Sequence, residues 1–480
     1  MEQIKKRKEI DMTEGPLLGK IMLFILPLMA SNLLQTLYNA ADMMVVSLSH
    51  EPNAVGAIGT TGAFINMIVN IFIGFSAGAN VVVARHLGAK DHDAVSRTVH
   101  TAICMSVIFG LVGSVVGLLV AEPVLALLGN HGKLLELSTL YTRIYFLGVP
   151  FISITNYCIS ILRAKGDTKT PLIVLSATGV LNVILNLFFV LGTKMSVDGV
   201  ALATAISNAV SAVVLMYILM RDKGPCRFSF KKLRIERHSF FNILHIGLPA
   251  GIQGALFSIS NMLIQSSIIR VNNNLGLAGD SYQPVVDGNS AIANLEGFAY
   301  TATNAVCQAA ITFTSQNAGA GKYERIKRVM GACYFVTIAV AVICSAVLFL
   351  FAKPLLSLYG VAGGPEGSLE AIALETAYTR LYWTILPYFL LAYMEVGGGV
   401  LRGMGRSVTS TIVSLMGACL LRILWISTVF NQFETLESIY VSYPISWILT
   451  GTIHLACSLV VLHKLITRKR EREKSPPITV

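Results

Sequence analysis

The stretch LLQTLYNAADMMVVS, residues 33–47, sets a carboxylate, Asp42, inside a long apolar run, with Tyr38 four residues before it. In a helix the two share a face. A charged aspartate at mid-membrane costs about 2.5–3.5 kcal/mol on insertion scales, and such residues mark ion or proton pathways. Desolvation disfavours the charged form of a carboxylate, so a group in this setting can hold a proton or trade it for a sodium ion. Asp42 lies about 20 residues into its span. At about 1.5 Å per residue that places it towards the outer half of the membrane. The bland alternative is a hydrogen-bonded structural aspartate near the interface.

Other polar groups occur at span depth in the same half. Asn182 and Asn186, in LNVILNLFFV, are four apart and share a face,. Asn156 lies in ITNYCI and Thr204 in GVALATAIS. Singly, each reads as helix-packing glue, because membrane interfaces use Asn and Thr in this way. Together with Asp42 they offer an oxygen-rich cage suited to a hard cation such as sodium. The second half carries Glu296, Glu395 and Arg422 within apolar runs. Counted from the ends of their spans, Glu296 and Arg422 fall at similar depth. That predicts a buried ion pair between them, or else a substrate-binding or coupling carboxylate. Glu395, close before Leu401 and Arg402, is expected either there or facing a cytoplasmic vestibule.

The elements that must position these groups follow from composition. Of 480 residues, 54% are hydrophobic and 13% charged, with mean hydropathy +0.66. A soluble domain carries about 25% charged residues, so this chain cannot dress a soluble surface. Apolar runs of membrane-spanning length recur throughout. Twelve spans are expected, at roughly 20–46, 54–84, 97–121, 134–163, 170–191, 198–220, 240–270, 283–318, 325–351, 369–403, 407–430 and 438–463,. Several exceed about 20 residues and must tilt, kink or project from the bilayer. The polar, basic start MEQIKKRKEIDMTEG does not read as a cleavable signal peptide,. Eight scattered cysteines suggest neither a metal site nor a disulfide framework, and read as small core residues,.

The net charge of +11 invites a nucleic-acid reading, which its distribution excludes. Alternate loops place about thirty Lys and Arg residues on one side and about four on the other, which predicts both termini in the cytoplasm. Arg143, Arg380 and Arg422 fall inside spans.

The chain also repeats itself. YTRIYFLGVPFISITNYCISILRAKGDTKTP, from Tyr141, matches YTRLYWTILPYFLLAYMEVGGGVLRGMGRSVTS, from Tyr378. LFILPLMASNLL around Pro27 matches ILHIGLPAGIQGAL around Pro249, and RHLGAKDHDAVSR matches SQNAGAGKYERIKR. Six spans per copy is even, so the copies are parallel repeats; transporters so built place their substrate site between the halves. The expected organisation is a cytoplasmic segment 1–19, a six-helix lobe 20–220, a basic linker 221–238, a second lobe 239–463 and a basic tail 464–480. Proline inside a span removes a helix hydrogen bond and favours a kink. Pro27, upstream of Asp42, is therefore a candidate hinge. No GxxxxGK[ST] or HExxH motif occurs, and the one GxSxG match, GFSAG at 74–78, lies inside an apolar span and not on a strand-to-helix turn, so nothing points to an ATP-driven mechanism or an enzyme,. His86, Asp91, His92 and Asp93 cluster in the first loop and read as a solvated loop. The KKLRIER run is expected to meet anionic headgroups.

DMTEGPLLGKIMLFILPLMASNLLQTLYNAADMMVV, LRAKGDTKTP, LRGMGRS and SQNAGAG resemble the multidrug and toxic compound extrusion (MATE) family over nearly the whole chain. The resemblance implies an all-α integral membrane fold of twelve helices, in two parallel-repeat six-helix bundles around a central cleft. It implies a plasma-membrane antiporter that exports small amphipathic organic cations in exchange for protons or sodium, needs no other cofactor and works as a monomer. Asp42 matches the family's first-span coupling aspartate, and Tyr38, Asn156, Asn182 and Thr204 match its polar neighbours. Asn186 stands where some members have a second aspartate, which leaves the coupling ion open. Phe257 stands where one branch has a glutamate, and Glu395 is offset from that branch's span-ten aspartate, so a second-lobe sodium site of that type is not supported. The alternative function is a flippase for a lipid-linked glycan. It would need a cleft rich in Arg and Lys.

Overall fold

The computed structural model describes residues 10–49, 51, 54–277 and 283–474. Among the described residues all regular structure is helical. Twelve long helices follow one another: α1 (Leu17–Ser47), α2 (Ala54–Gly88), α3 (His92–Leu127), α4 (Gly132–Ala164), α5 (Lys169–Leu187), α6 (Val197–Met220), α7 (Arg237–Asn274), α8 (Pro284–Gly319), α9 (Tyr323–Leu350), α10 (Leu369–Ile385 and Tyr388–Gly403), α11 (Ser407–Phe433) and α12 (Leu436–Glu473). Ten are long and apolar enough, taken singly, to cross a membrane, and the two pieces of α10 make an eleventh as a pair bent by 44°. The twelfth, α8, spans 36 residues but carries Asp287, Glu296 and a run of amides and hydroxyls that lower its hydropathy. Most helices run several residues past the expected span ends, as long spans projecting from a bilayer must.

Packing inverts the soluble pattern. On α3 the buried stripe is small, with Gly110, Ser114, Gly117 and Ala121 at three- and four-residue spacing. Large apolar side chains such as Leu111, Val115 and Leu119 are exposed instead. Small residues let helices approach closely where lipid supplies no hydrophobic drive between them. A Cβ on Gly117 would meet the Phe146 ring at 2.0 Å, and one on Gly110 would meet the Pro150 Cα at 2.7 Å, so α3 and α4 are nearly in backbone contact.

By internal packing the chain forms two units: Met1–Ala255 with Ser315–Gly321, and Leu256–Thr314 with Lys322–Val480. The dividing point falls within α7, at Ala255. The glycines explain why the first part of α7 belongs with unit one. A Cβ on Gly74 of α2 would meet the Gly251 backbone nitrogen at 2.2 Å, and one on Gly78 would meet the Ile243 carbonyl at 2.3 Å. The end of α8 joins the same unit by a reciprocal contact. A Cβ on Gly88 would lie 1.9 Å from the Gln316 carbonyl, and one on Gly319 would lie 1.8 Å from that of Arg85. Gly88 and Gly319 are the corresponding glycines of the RHLGA and QNAGA repeats. Gln316 Nε2 also donates to the Ala164 carbonyl at 2.6 Å, and Asn317 Nδ2 to that of Met12 at 3.1 Å.

Candidate functional site

Helix periodicity builds the site. Gln35, Tyr38, Asn39 and Asp42 fall on one face of α1, and Thr178, Gly179 and Asn182 on one face of α5,. Asn66 on α2, Tyr141, Tyr145 and Asn156 on α4, and Thr204, Ser207 and Ser211 on α6 complete the wall. They enclose a cavity of ≈ 280 Å³ within the first unit. No Lys or Arg lines it among the described residues.

Asp42 is 9% exposed and lines this cavity, not the acyl-chain face. Asn186 Nδ2 donates to its Oδ1 at 2.5 Å, and the Thr204 hydroxyl is placed to donate to the same carboxylate. The chain of contacts continues: Asn186 Nδ2 reaches Asn182 Oδ1 at 3.3 Å, and Asn182 Nδ2 donates to Thr204 Oγ1 at 3.3 Å. The four-residue spacing of Asn182 and Asn186 therefore does bring both amides to the carboxylate's side of α5. Asn186 Oδ1 is buried and has no hydrogen-bond partner among the described residues. A buried acceptor in that position is unfavourable until a proton donor or a cation meets it. No described ion pair involves Asp42.

Tyr38 donates to the Ser176 carbonyl at 3.2 Å. Its ring fills the space over Gly179, where a Cβ would come within 1.8 Å. Asn156 faces the cavity while its Nδ2 is committed to the Ile152 carbonyl at 3.0 Å. Pro27 sits inside a continuous α1, about four turns before Asp42, and the Ser31 hydroxyl donates to its carbonyl at 2.9 Å,. The residues that sequence reading passed over are Gln35, Asn39, Asn66, Tyr141 and Tyr145. The first two were signalled by their spacing from Asp42. The two tyrosines stood in view within the repeat, but nothing in its pattern marks which face they take.

The second unit corrects one expectation. Glu296 pairs with Arg380, not with Arg422: Arg380 Nη2 lies 2.7 Å from Glu296 Oε2. Arg380 Nη1 donates to Asn289 Oδ1 at 2.7 Å, and the Tyr440 hydroxyl donates to the same oxygen at 2.9 Å. Arg422 is satisfied elsewhere. Its Nε donates to Ser446 Oγ at 2.9 Å, and its guanidinium lies 4.1 Å from the centre of the Tyr443 ring. Depth along a span does not say which face a side chain takes, which is why similar depth misassigned the pair. Glu395 is partly buried and makes no ion pair among the described residues; the Cys307 thiol donates to its backbone carbonyl at 3.4 Å.

In the first loop, Asp91 caps α3 by accepting from the Ala94 N–H at 2.9 Å. Among the described residues no three His, Cys, Asp or Glu side chains gather where they could hold a metal ion.

Comparison with known proteins bears on this geometry. The sequence profile of the MatE family matches residues 27–188 and 249–426. "Probable multidrug resistance protein YoeA" of Bacillus subtilis is 25% identical over 436 residues, covering 88% of this chain and 89% of the relative. "Multidrug export protein MepA" of Staphylococcus aureus is 24% identical over 420 residues, covering 86% and 88%. Among solved structures, an outward-facing multidrug resistance MATE family transporter of the MOP superfamily aligns with TM-score 0.85 at 19% identity, over 96% of this chain and 99% of that one. A MOP superfamily transporter from Pyrococcus furiosus aligns with TM-score 0.85 and 19% identity, over 95% and 98%. Both likenesses concern the fold, and they agree with the twelve long helices.

Proposed function

The chain belongs to the MatE family of multidrug efflux transporters, and from that premise we propose that it is a secondary active antiporter exporting amphipathic organic cations in exchange for protons or sodium ions. It works by alternating access in the plasma membrane, with both termini in the cytoplasm. The six-helix lobes 20–220 and 239–463, joined by the linker 221–238, rock to expose the substrate site alternately, and Pro27 is the hinge within α1. The protein acts as a monomer on small molecules.

One observation carries the reading: a carboxylate with no cationic partner among the described residues faces an internal cavity, held by Asn186, whose buried amide oxygen has no partner among those residues either. Either a proton or a sodium ion neutralises Asp42, and sodium additionally finds oxygens from Asn182, Asn186 and Thr204 at hand. An ion moves a two-state equilibrium only through its differential affinity for the two states. Ion-loaded Asp42 therefore favours the arrangement that discharges drug, and drug favours the opposite one. The absence of Lys and Arg from the cavity wall argues against the flippase alternative, since an anionic lipid-linked glycan calls for them.

The test is uphill export of a fluorescent amphipathic cation such as ethidium by the full chain in proteoliposomes, with the pH gradient and the sodium gradient imposed separately. One gradient drives wild-type export, which names the ion. Asp42→Asn folds and still binds ethidium, yet exports none uphill under either gradient. Wild-type export by that variant overturns the assignment.

A further inference from the structure

Away from the Asp42 cavity, the first unit holds a second, basic one. Asp93, Ser96, Arg97 and His100 of α3 and the linker segment Lys231–Arg234 surround a cavity of ≈ 460 Å³. Its charged groups are four cations, Arg97, Lys231, Lys232 and Arg234, against one carboxylate, Asp93. The ion pairs described in this unit, Lys133–Glu136, Arg143–Glu122 and Lys165–Asp222, engage none of the four. Asp93 in the wall and Glu236, which interacts electrostatically with Arg97, offset only part of this charge; the cations left over repel one another, so the cluster lowers its energy by taking up an anion.

The pocket is held in place by its own fold. The His100 imidazole is 1% exposed and bonded through both ring nitrogens: Nδ1 donates to the Ser96 carbonyl at 2.6 Å, and Nε2 accepts from the Ser229 N–H at 3.1 Å. Its ring stacks on Phe228, which is itself 1% exposed. At the other end of the segment, Thr101 Oγ1 accepts from the Glu236 N–H at 3.0 Å, and Thr98 and Ser239 join hydroxyls at 3.0 Å. A single turn of 3-10 helix, Phe230–Lys232, lies between the clamps. Fixed at both ends, the segment presents its cations with little further ordering cost on binding.

Charge alternates there with exposed apolar side chains. Phe230, Leu233 and Ile235 are 65%, 47% and 49% exposed and interleave with Lys231, Lys232 and Arg234. A site for a free anion has no use for three exposed apolar groups at its rim. A bilayer surface has: the apolar groups enter the acyl boundary while the cations meet the headgroup.

We propose that this pocket is a binding site for the phosphate headgroup of an anionic phospholipid of the cytoplasmic leaflet, with Arg97, Lys231, Lys232 and Arg234 as its ligands and Phe230, Leu233 and Ile235 as its apolar anchor. The site ties the linker to the membrane surface. It is separate from the Asp42 cavity and does not depend on what that cavity exports; that the leaflet is the cytoplasmic one rests on the orientation proposed above.

The experiment uses the purified full chain in a neutral detergent and native mass spectrometry with short-chain phosphatidylglycerol, short-chain phosphatidylcholine and inorganic phosphate as separate probes. Phosphatidylglycerol binds saturably and at least ten-fold more tightly than phosphatidylcholine. The triple variant Lys231→Gln, Lys232→Gln, Arg234→Gln weakens it by at least ten-fold, and Arg97→Gln alone weakens it measurably. A control with the same charge loss in the tail, Arg468→Gln, Lys469→Gln, Arg470→Gln, leaves it unchanged. Equal phosphatidylglycerol binding by wild type and the linker variant overturns the proposal. So does equal loss in the tail variant, which would mean general surface charge. Inorganic phosphate binding as tightly as phosphatidylglycerol, and lost in the linker variant, overturns the lipid assignment in favour of a free-anion site.

Discussion

Removing the Arg380 guanidinium strands a carboxylate. The two side chains are 11% and 14% exposed, and their closest charged atoms lie 2.7 Å apart. At an effective dielectric constant of about 20, unit charges at that distance attract by roughly 6 kcal/mol. Desolvation of both ions offsets much of this, so the pair as a whole contributes little net stability. Breaking it from one side is a different matter. Arg380→Met leaves Glu296 uncompensated and takes a donor from Asn289 Oδ1, which then keeps only Tyr440. The expected cost is about 3–5 kcal/mol. Glu296→Gln strands the guanidinium and costs a similar amount. The double variant strands nothing and is destabilised by clearly less than the sum of the two, with a coupling of about 2–3 kcal/mol. Equilibrium unfolding in mixed micelles, monitored by intrinsic fluorescence, measures each corner of the cycle. Glu296→Gln with Arg422→Met serves as the contrast, because Arg422 bonds Ser446 and Tyr443 and meets Glu296 only through longer-range electrostatics; its coupling is expected to be clearly smaller, below about 1 kcal/mol,. Additivity in the Arg380 cycle, or strong coupling in the Arg422 cycle, refutes the pairing.

Other consequences follow from the same contacts. Asn186→Ala removes the amide that holds Asp42 and leaves a buried carboxylate oxygen without it; about 1–3 kcal/mol of stability is lost, read in the same unfolding assay,. Gly179→Leu drives the Tyr38 ring from its seat and into the cavity, so ethidium export falls sharply while the protein still reaches the membrane; unchanged export kinetics contradict the packing. Gly88→Val and Gly319→Val each force apart backbones that approach within 2 Å of the added carbon; both are expected to lower expression and thermal stability, whereas the Cβ added by Gly321→Ala meets nothing within 4 Å, so that variant loses only what its positive φ of 64° demands,.

What sequence made legible was whatever breaks a local rule. Asp42 stands out because a carboxylate in an apolar run needs a reason, and the 3.6-residue period then carries Tyr38, Gln35 and Asn39 to its face. Asn182 and Asn186 were readable for the same cause. Span count and order were readable because bilayer thickness sets a minimum run length, and hydropathy with loop signals placed a span at 283–318, where α8 lies, despite its polarity,. Partner choice was not legible. Glu296 could reach Arg380 or Arg422, and only the rotation of α10 relative to α8 decides between them. Arg143 and Arg380 make the point sharply. Both close the same Tyr-Thr-Arg of the repeat, yet Arg143 forms an exposed pair with Glu122 whereas Arg380 is buried against Glu296.

That difference between equivalent positions supports the proposal that Asp42 is the ion-handling acid. Each unit carries carboxylates at helix depth: Asp42 in the first, Glu296 and Glu395 in the second. For Glu296 the protein itself supplies the counter-charge, covalently tethered at 2.7 Å, so an inorganic ion would have to displace a guanidinium to be taken up there; Glu395 makes no described ion pair and stays the second-unit candidate. In the first unit no described cation neutralises Asp42; its partners are neutral amides and a hydroxyl around a cavity. On the proposed function, a carboxylate so placed takes its counter-charge from what enters the cavity, and that charge arrives and leaves with the state of the transporter. The reasoning carries its own reversal: Thr204→Lys brings a tethered ammonium into the Asp42 cage, and it is expected to freeze export under both gradients while raising thermal stability in the absence of either ion. If export by that variant remains gradient-driven at the wild-type rate, the coupling carboxylate lies elsewhere.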